Sequence, residues 1–290
     1  MFGILNINKP AGVTSRDVVN HVQRIVRSKK VKVGHAGTLD PLATGVLVVC
    51  VGPATRLIEF VQQSEKTYRG TFSLGRTSDT EDVEGKVVEL VDPPEPSIEQ
   101  IENVLPTFVG EIDQRPPAYS ALKVDGKRAY KLAREGKTVE LKSRKIVIER
   151  IELVAYDYPR MVIEVTCGSG TYMRSLGRDI AESLGSGAVM SALVRNGVGA
   201  FRLSDACEMD ELNADTIASH SQPALSAVRN LSSVELDEAE IRRISHGMSI
   251  QNSNEFSTDK IAAIDSNGKL VSILVRKDER DLRPIRNFVA

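Results

Sequence analysis

The twelve residues Gly34-His35-Ala36-Gly37-Thr38-Leu39-Asp40-Pro41-Leu42-Ala43-Thr44-Gly45 combine an acid, a histidine, three glycines and a proline. Pro41 disfavours the α region for the residue before it, so Asp40 is held on an extended backbone. The apolar run Val46-Leu47-Val48-Val49-Cys50-Val51 that follows reads as a fully buried strand, a rigid support for an aimed carboxylate. His35 lies five residues earlier and can reach the same pocket. A carboxylate so placed can act as nucleophile or base. The plain alternative is a turn in which Asp40 is an ordinary turn residue. Nucleotide-loop chemistry is not supported, because neither G-x-G-x-x-G nor G-x-x-x-x-G-K-[ST] occurs in this loop. Gly168-Ser169-Gly170-Thr171, between an extended segment and a helix, carries only a fragment of either motif.

These residues need elements to position them. Ile4 to Asn8 reads as a short buried strand ending at the turn Lys9-Pro10-Ala11-Gly12. Thr14 or Ser15 then caps a helix whose apolar residues are Val18, Val19, Val22, Ile25 and Val26. Ala54, Leu57, Ile58 and Val61 mark a further helix. Tyr68, Gly70, Phe72 and Leu74 alternate with polar neighbours, as in a half-buried strand, where Tyr68 is simply a core residue. Ser97 with Gln100 forms a capping box for a helix running toward Leu105. Thr138 to Asp157 and Arg160 to Cys167 read as extended, joined by a turn at Asp157-Tyr158-Pro159. Thr171 to Leu184 reads as a helix ending at Gly185, on which Arg174 alone is an ordinary surface arginine. Beyond Leu231 a helix from about Leu236 to His246 precedes a hairpin whose turn is Ser266-Asn267-Gly268. The fold class expected is α+β: a mixed, largely antiparallel central sheet with flanking helices, then a small β-rich unit. The division expected is 1–230 and 231–290.

With 290 residues, 41% of them hydrophobic and 27% charged, the chain can bury a sizeable core and remain soluble. Its longest apolar stretch, Val46 to Val51, is far short of the ~20 residues of a membrane span. The opening residues read as no secretory leader. Cys50, Cys167 and Cys207 are far apart and outside any C-x-x-C, which argues against a disulfide scaffold and against a zinc site. A cytoplasmic globular protein is the expectation. The formal net charge of −1 averages over opposed segments. Lys9 to His35 holds seven basic residues and one acidic, and Arg115 to Arg150 eleven basic and four acidic. Thr77 to Asp113 reverses the balance, with eleven acidic to one basic. Such asymmetry allows one face to attract a polyanion, though charge runs are also common as solvated faces.

The loop of Asp40 resembles the catalytic motif of the TruB-type tRNA pseudouridine synthases. The resemblance continues, in the family's order, through Asn8-Lys9-Pro10-Ala11-Gly12, Lys66-Thr67-Tyr68, Gln114-Arg115-Pro116-Pro117-Ala118-Tyr119-Ser120-Ala121-Leu122-Lys123 and Gly168-Ser169-Gly170-Thr171-Tyr172-Met173-Arg174-Ser175-Leu176. It covers residues 1 to about 200, and the tail beyond Leu231 resembles a small PUA-like RNA-binding unit. It implies a pseudouridine synthase fold and the isomerisation of uridine 55 in the TΨC arm of tRNA, with no metal and no organic cofactor. By position Asp40 matches the catalytic aspartate, His35 a residue that assists base displacement, and Tyr68 the tyrosine that lies against the flipped base. Arg174 matches the arginine that pairs with the aspartate. Tyr172 and Leu193 match pocket-lining positions, Leu193 being equally readable as plain core. A uridine stacked in an RNA loop must be flipped out to meet such a pocket. Lys9, Lys123, Lys127, Arg128 and Lys131 are the expected contacts to the RNA backbone, and Lys127, Arg128, Lys131 and Arg134 recur at helical spacing. The partner implied is the TΨC stem-loop, with no membrane and no obligate protein partner. Two alternatives stand beside this reading: a synthase acting on other RNAs within a guide-RNA particle, and a non-catalytic tRNA-binding or folding module.

Overall fold

A computed structural model describes residues 3–27, 30–120, 123–124, 127–128, 141–251 and 254–288. The chain divides into two compact units. The first comprises 1–39, 46–62 and 199–290, the second 40–45 and 63–198.

In the first unit the strand Gly3–Lys9 neighbours the strand Thr44–Val51 and pairs in parallel with Cys207–Glu208. The helix Ser15–Val26 begins as its sequence dictates. Thr14 accepts from the Asp17 N–H while the Asp17 carboxylate accepts from the Thr14 N–H, so two otherwise orphaned donors are satisfied. Its Val18 and Val22 pack with Leu5, Ile7, Leu47, Val49 and Val51 in one core. The helix expected from Ala54 to Val61 is a 3₁₀ segment, Gly52–Leu57, that continues into the α-helix Ile58–Gln63. Pro53 lies in its first turn, where a missing N–H costs nothing.

Residues 232–287 contribute a separate five-stranded sheet, in the order Ser232–Glu235, Lys260–Ile264, Leu270–Arg276, Asp281–Asn287 and Ile250–Gln251. It has its own apolar cluster, including Val234, Leu236, Ile244, Ile261, Leu274 and Leu282. The Asn267-Gly268 turn forms as expected: Gly268 is at φ +72, and Asp265 Oδ1 accepts from the N–H groups of Asn267 and Lys269. The strand Asp281–Asn287 is not apparent in the sequence, since Arg283, Pro284 and Arg286 interrupt its alternation.

The second unit is built on a sheet of five strands in the order Ala188–Val198, Lys66–Leu74, Arg160–Cys167, Arg144–Asp157 and Gly110–Gln114, all neighbours antiparallel. Thr44 and Gly45 run parallel to Val194 and Arg195 at its edge, which makes the sheet mixed. That edge is tight: Gly45 sits at φ +101, and a Cβ there would lie 2.3 Å from the Arg195 carbonyl oxygen. Only glycine fits. The strand Ala188–Val198 has no counterpart in the sequence reading. Register shifts between Met190 and Ala192 and between Arg195 and Gly197 break its inward–outward alternation twice, so no two-residue period survives.

The helix Met173–Ser183 lies against this sheet, with Met173, Leu176, Ile180 and Ala181 buried. Its approach is set by missing side chains, because a Cβ at Gly177 would meet the Phe72 ring at 2.1 Å. Alanine normally stabilises a helix interior by about 1 kcal/mol over glycine, but overpacking a core costs about 1–3 kcal/mol. Phe72 is fully buried, so the clash wins. Gly177→Ala is expected to lower unfolding stability by about 1–2 kcal/mol in urea titrations, and Phe72→Leu in the same chain to recover part of it.

Candidate active site

The second unit gathers Asp40, Tyr68, Arg174 and Arg195 with a loop near residue 80 and the backbone of Tyr119. Arg174 is the hub. It occupies the first turn of the helix Met173–Ser183, where the sequence carries Gly-Thr-Tyr-Met-Arg, and its side chain is only 6% exposed. Nε lies 3.0 Å from Asp40 Oδ2, and Nη2 lies 3.5 Å from Asp40 Oδ1. Nη1 donates to the Thr80 carbonyl at 2.8 Å and faces Asp82 Oδ2 at 3.5 Å. Nη2 also donates to the Tyr119 carbonyl at 3.1 Å. A planar guanidinium has five donors in fixed directions, so it can tie several separate chain segments at once.

Each partner is itself held. Asp82, nearly fully buried, accepts from the Thr80 hydroxyl and from the Glu84 N–H at 3.0 Å. The neighbouring Glu81, at φ +64, accepts from Ser175 Oγ at 2.7 Å and pairs with Arg178. Burial raises the Glu81 carboxyl above its ordinary range, with Arg178 and Ser175 acting in the opposite sense. Asp40 accepts from the Ala43 N–H at 3.1 Å through its own carbonyl, closing the turn that Pro41 begins. Its carboxylate remains 34% exposed, so it is held on one side and open on the other. Among the described residues no cluster of three or more His, Cys, Asp or Glu side chains is arranged to hold a metal ion.

Tyr68 stands on the strand Lys66–Leu74, opposite Val165 on one side and Arg195 on the other. Burial pushes its phenol above the ordinary range, while Arg195 pulls the other way and Asp40 adds to the rise. Lys66, two residues earlier and so on the same face, is pushed down to about 8, first by burial and then by the charge of Arg195. Tyr172 precedes the helix. Its N–H donates to Gln114 Oε1 at 2.8 Å, its carbonyl accepts from Gln114 Nε2 at 3.0 Å, and its ring lies under the Arg144 guanidinium at 4.6 Å. Leu193 faces Gly70 across the strands and is buried.

The structure therefore brings Asp40, Tyr68 and Arg174 together, with Tyr172 clamped at the start of the Arg174 helix. His35 is half-buried in the first unit, at the end of the short strand Val33–His35, where it pairs with Val49. Lys9 requires a correction. It was expected to contact the RNA backbone, but it is 0% exposed and its ammonium donates to the carbonyls of Pro10 and Val13, so it holds the turn after the first strand. The helical spacing expected from Lys127 is also corrected. Lys127–Arg128 forms a strand paired with Lys123–Val124, while Lys131 and Arg134 lie outside the described residues. Asp82, Thr80 and Arg195 were missed. Arg195 gave no readable signal, because the strand that carries it keeps no two-residue period. The signal for Asp82 was hidden in an acid-rich segment that reads as solvated surface.

Two family models match the sequence: the TruB family pseudouridylate synthase N-terminal domain over residues 23–173 and the tRNA pseudouridylate synthase B C-terminal domain over 174–234. Relatives named tRNA pseudouridine synthase B include that of Caldanaerobacter subterraneus, 39% identical over 287 residues and covering 99% of each chain. That of Clostridium tetani is 40% identical, covering 91% of this chain and 90% of the other. That of Bacteroides fragilis is 50% identical over 204 residues, covering 69% of this chain and 88% of the other. Among solved structures, a chain of an H/ACA RNP bound to a substrate RNA containing 2′-deoxyuridine shares the fold, with a TM-score of 0.76 and 23% identity over 100% of this chain and 86% of that one. The chain belongs to the TruB family of pseudouridylate synthases.

Arg174→Lys keeps a positive charge but supplies a compact ammonium in place of the fork, leaving at least one of the Thr80 and Tyr119 carbonyls without its donor. Pseudouridine formation is expected to fall roughly 10²-fold. Nucleoside chromatography of digested RNA measures it, and RNA affinity is expected to stay within several-fold.

Proposed function

We propose that this chain isomerises uridine 55 in the TΨC arm of tRNA to pseudouridine, with Asp40 as the group that engages the displaced nucleotide. One observation carries the reading: the carboxylate on the Gly34–Gly45 loop is anchored by Arg174 from beneath and open above. A pairing cation keeps a partly buried carboxylate ionised and aimed. An ionised Asp40 can attack C1′ of the ribose or C6 of the base, or take a proton from the sugar. In each route the N1–C1′ bond breaks, a C5–C1′ bond forms, and the C5 proton is lost as N1 gains one. The reaction balances within one nucleotide, so no metal or organic cofactor is called on. Tyr68 stacks on the base, and such stacking is worth about 1–3 kcal/mol per base. His35 assists displacement of the base, and Tyr172 and Leu193 line the pocket.

The rest of the chain supplies grip. Lys123, Lys127, Arg128 and Lys131 contact the RNA backbone, giving affinity and register, while the shape of the loop gives specificity. Residues 1–230 act as the catalytic domain and 231–290 as a PUA-like RNA-binding domain; the separate sheet and apolar cluster of the latter favour this division. Among the described residues no helix is long and apolar enough to cross a membrane. The enzyme works in the cytoplasm, where its substrate is, and needs no protein partner.

Incubating the purified chain with an unmodified tRNA transcript, with no other RNA or protein, tests this reading. Pseudouridine at position 55 alone is the expected product; its absence until a guide RNA is added favours the particle-bound alternative. Asp40→Asn keeps the size and removes the charge, so it is expected to abolish turnover while tRNA affinity stays within several-fold. Turnover by that variant removes Asp40 from the mechanism.

Changing Lys127, Arg128 and Lys131 together to Ala is expected to weaken tRNA binding at physiological salt. The slope of log K against log salt should flatten by about two units, at roughly 0.7–0.9 per lost contact. Turnover at saturating tRNA should be preserved. An unchanged slope makes this stretch a solvated face.

A further inference from the structure

Arg195 is 1% exposed, among the largest fully buried side chains of the protein, and none of the roles assigned so far uses it. It belongs to the strand Ala188–Val198 and stands directly opposite Tyr68 in antiparallel register. Residues so paired project from the same face with their Cβ atoms about 4.5–5.5 Å apart. The guanidinium hydrogen-bonds the Tyr68 side chain. A guanidinium only donates, so the phenol oxygen accepts.

The position is a costly one for a cation. Its own strand buries Leu193 and Val198 on either side of it, and its neighbour Lys66 carries a like charge, whose protonated form Arg195 disfavours. The groups acting on the phenol from the surrounding elements are Lys66's neighbour Cys167 on the strand Arg160–Cys167, Asp40 on its loop, and Arg195 itself. Cys167 and Asp40 disfavour ionisation of the phenol and Arg195 favours it. A leucine or methionine would fill the same volume without desolvating a charge. What arginine adds is a fixed donor to the hydroxyl and a positive charge beside it. Immediately past it the register slips at Asn196, between Arg195 and Gly197, while the Arg195 backbone is pinned by its close approach to Gly45. The side chain is thus presented from a backbone that cannot drift.

We propose that Arg195 is a positioning residue for the isomerisation, acting through the Tyr68 hydroxyl to fix the ring against which the displaced base is held. This rests on the reading of Tyr68 given above. A ring anchored only by packing can swing about its Cα–Cβ bond; one held at the hydroxyl as well has its long axis fixed at both ends. The base then meets a rigid platform at the moment Asp40 engages the sugar or ring.

A double-mutant cycle with Tyr68→Phe tests this, read by single-turnover kinetics on tRNA transcript with enzyme in excess. Arg195→Met is expected to slow the reaction at least tenfold with tRNA Kd unchanged within threefold. Arg195→Lys, which keeps one donor and the charge, should slow it three- to fivefold. On the Tyr68→Phe background each should cost less than twofold more. Equal losses on both backgrounds, or no loss in either, overturn the proposal, because a merely structural role does not depend on the hydroxyl. If the Met variant fails to fold, the Lys variant decides by the same comparison. A second readout is independent of turnover. With ¹³Cζ-labelled tyrosine, the resonance missing in Tyr68→Phe is that of Tyr68 among the six tyrosines. It should shift in Arg195→Lys while the others stay; an unmoved Tyr68 resonance overturns the contact. Wild-type protein inactive on tRNA overturns the functional reading instead, and the spectrum still decides the Arg195–Tyr68 contact.

Discussion

Arg174 is a buried guanidinium held away from water, and it meets its partners on three separate pieces of chain. Asp40, the Thr80–Asp82 segment and the Tyr119 carbonyl converge on it from loops far apart in sequence. Removing one member of such a buried set is costly, on the order of 3–5 kcal/mol, because the remaining charge is left unpaired. The arrangement is therefore all-or-none: the carboxylate is aimed only when the loops at 80 and 119 are also in place. Most of the surrounding structure follows from that requirement. The Gln114–Tyr172 clamp fixes where the helix begins, and the Ser175–Glu81–Arg178 contacts fix where the loop at 80 lies.

The sheet provides the floor on which this converges. Gly45 brings the Asp40 turn into contact with the Arg195 backbone, and Gly177 brings the Arg174 helix onto the Phe72 ring. Both approaches are shorter than any side chain would allow. The Asp40–Arg174 distance is thus set by two glycines, one at the edge of the sheet and one in the helix packed against it, as much as by the ion pair itself. Tyr68, on the strand Lys66–Leu74, inherits its position from both neighbours in the ladder.

Charge is distributed with the same economy. The formal net is close to zero, yet the basic residues crowd into the segments 9–35 and 115–150 and the acids into 77–113. Positive charge is thus concentrated in two segments while the chain as a whole is close to neutral. Lys9 shows the limit of counting charges along a sequence. It adds to the basic total, but the fold spends it on two backbone carbonyls inside a turn.

Local physics was legible in the sequence by itself. The N-cap at Thr14 or Ser15, the capping box at Ser97, the Asn267-Gly268 hairpin, the alternation of Lys66–Leu74 and the apolar run of Thr44–Val51 all depend on residues within a few positions of one another. The ordered motifs around Asp40, Tyr68 and Arg174 were legible for the same reason, since each is a short run of fixed composition. The strand Ala188–Val198 was not, because its two register shifts exist only against a partner strand. Nor were the roles of Asp82 and Arg195, whose meaning lies in contacts across about 90 and 130 residues. An aspartate in an acidic stretch and an arginine in an apolar one look like a surface residue and an anomaly until the fold sets Arg174 beside the first and Tyr68 beside the second. Sequence determined which residues could do the chemistry; only burial and long-range pairing decided which of them are held where they can do it.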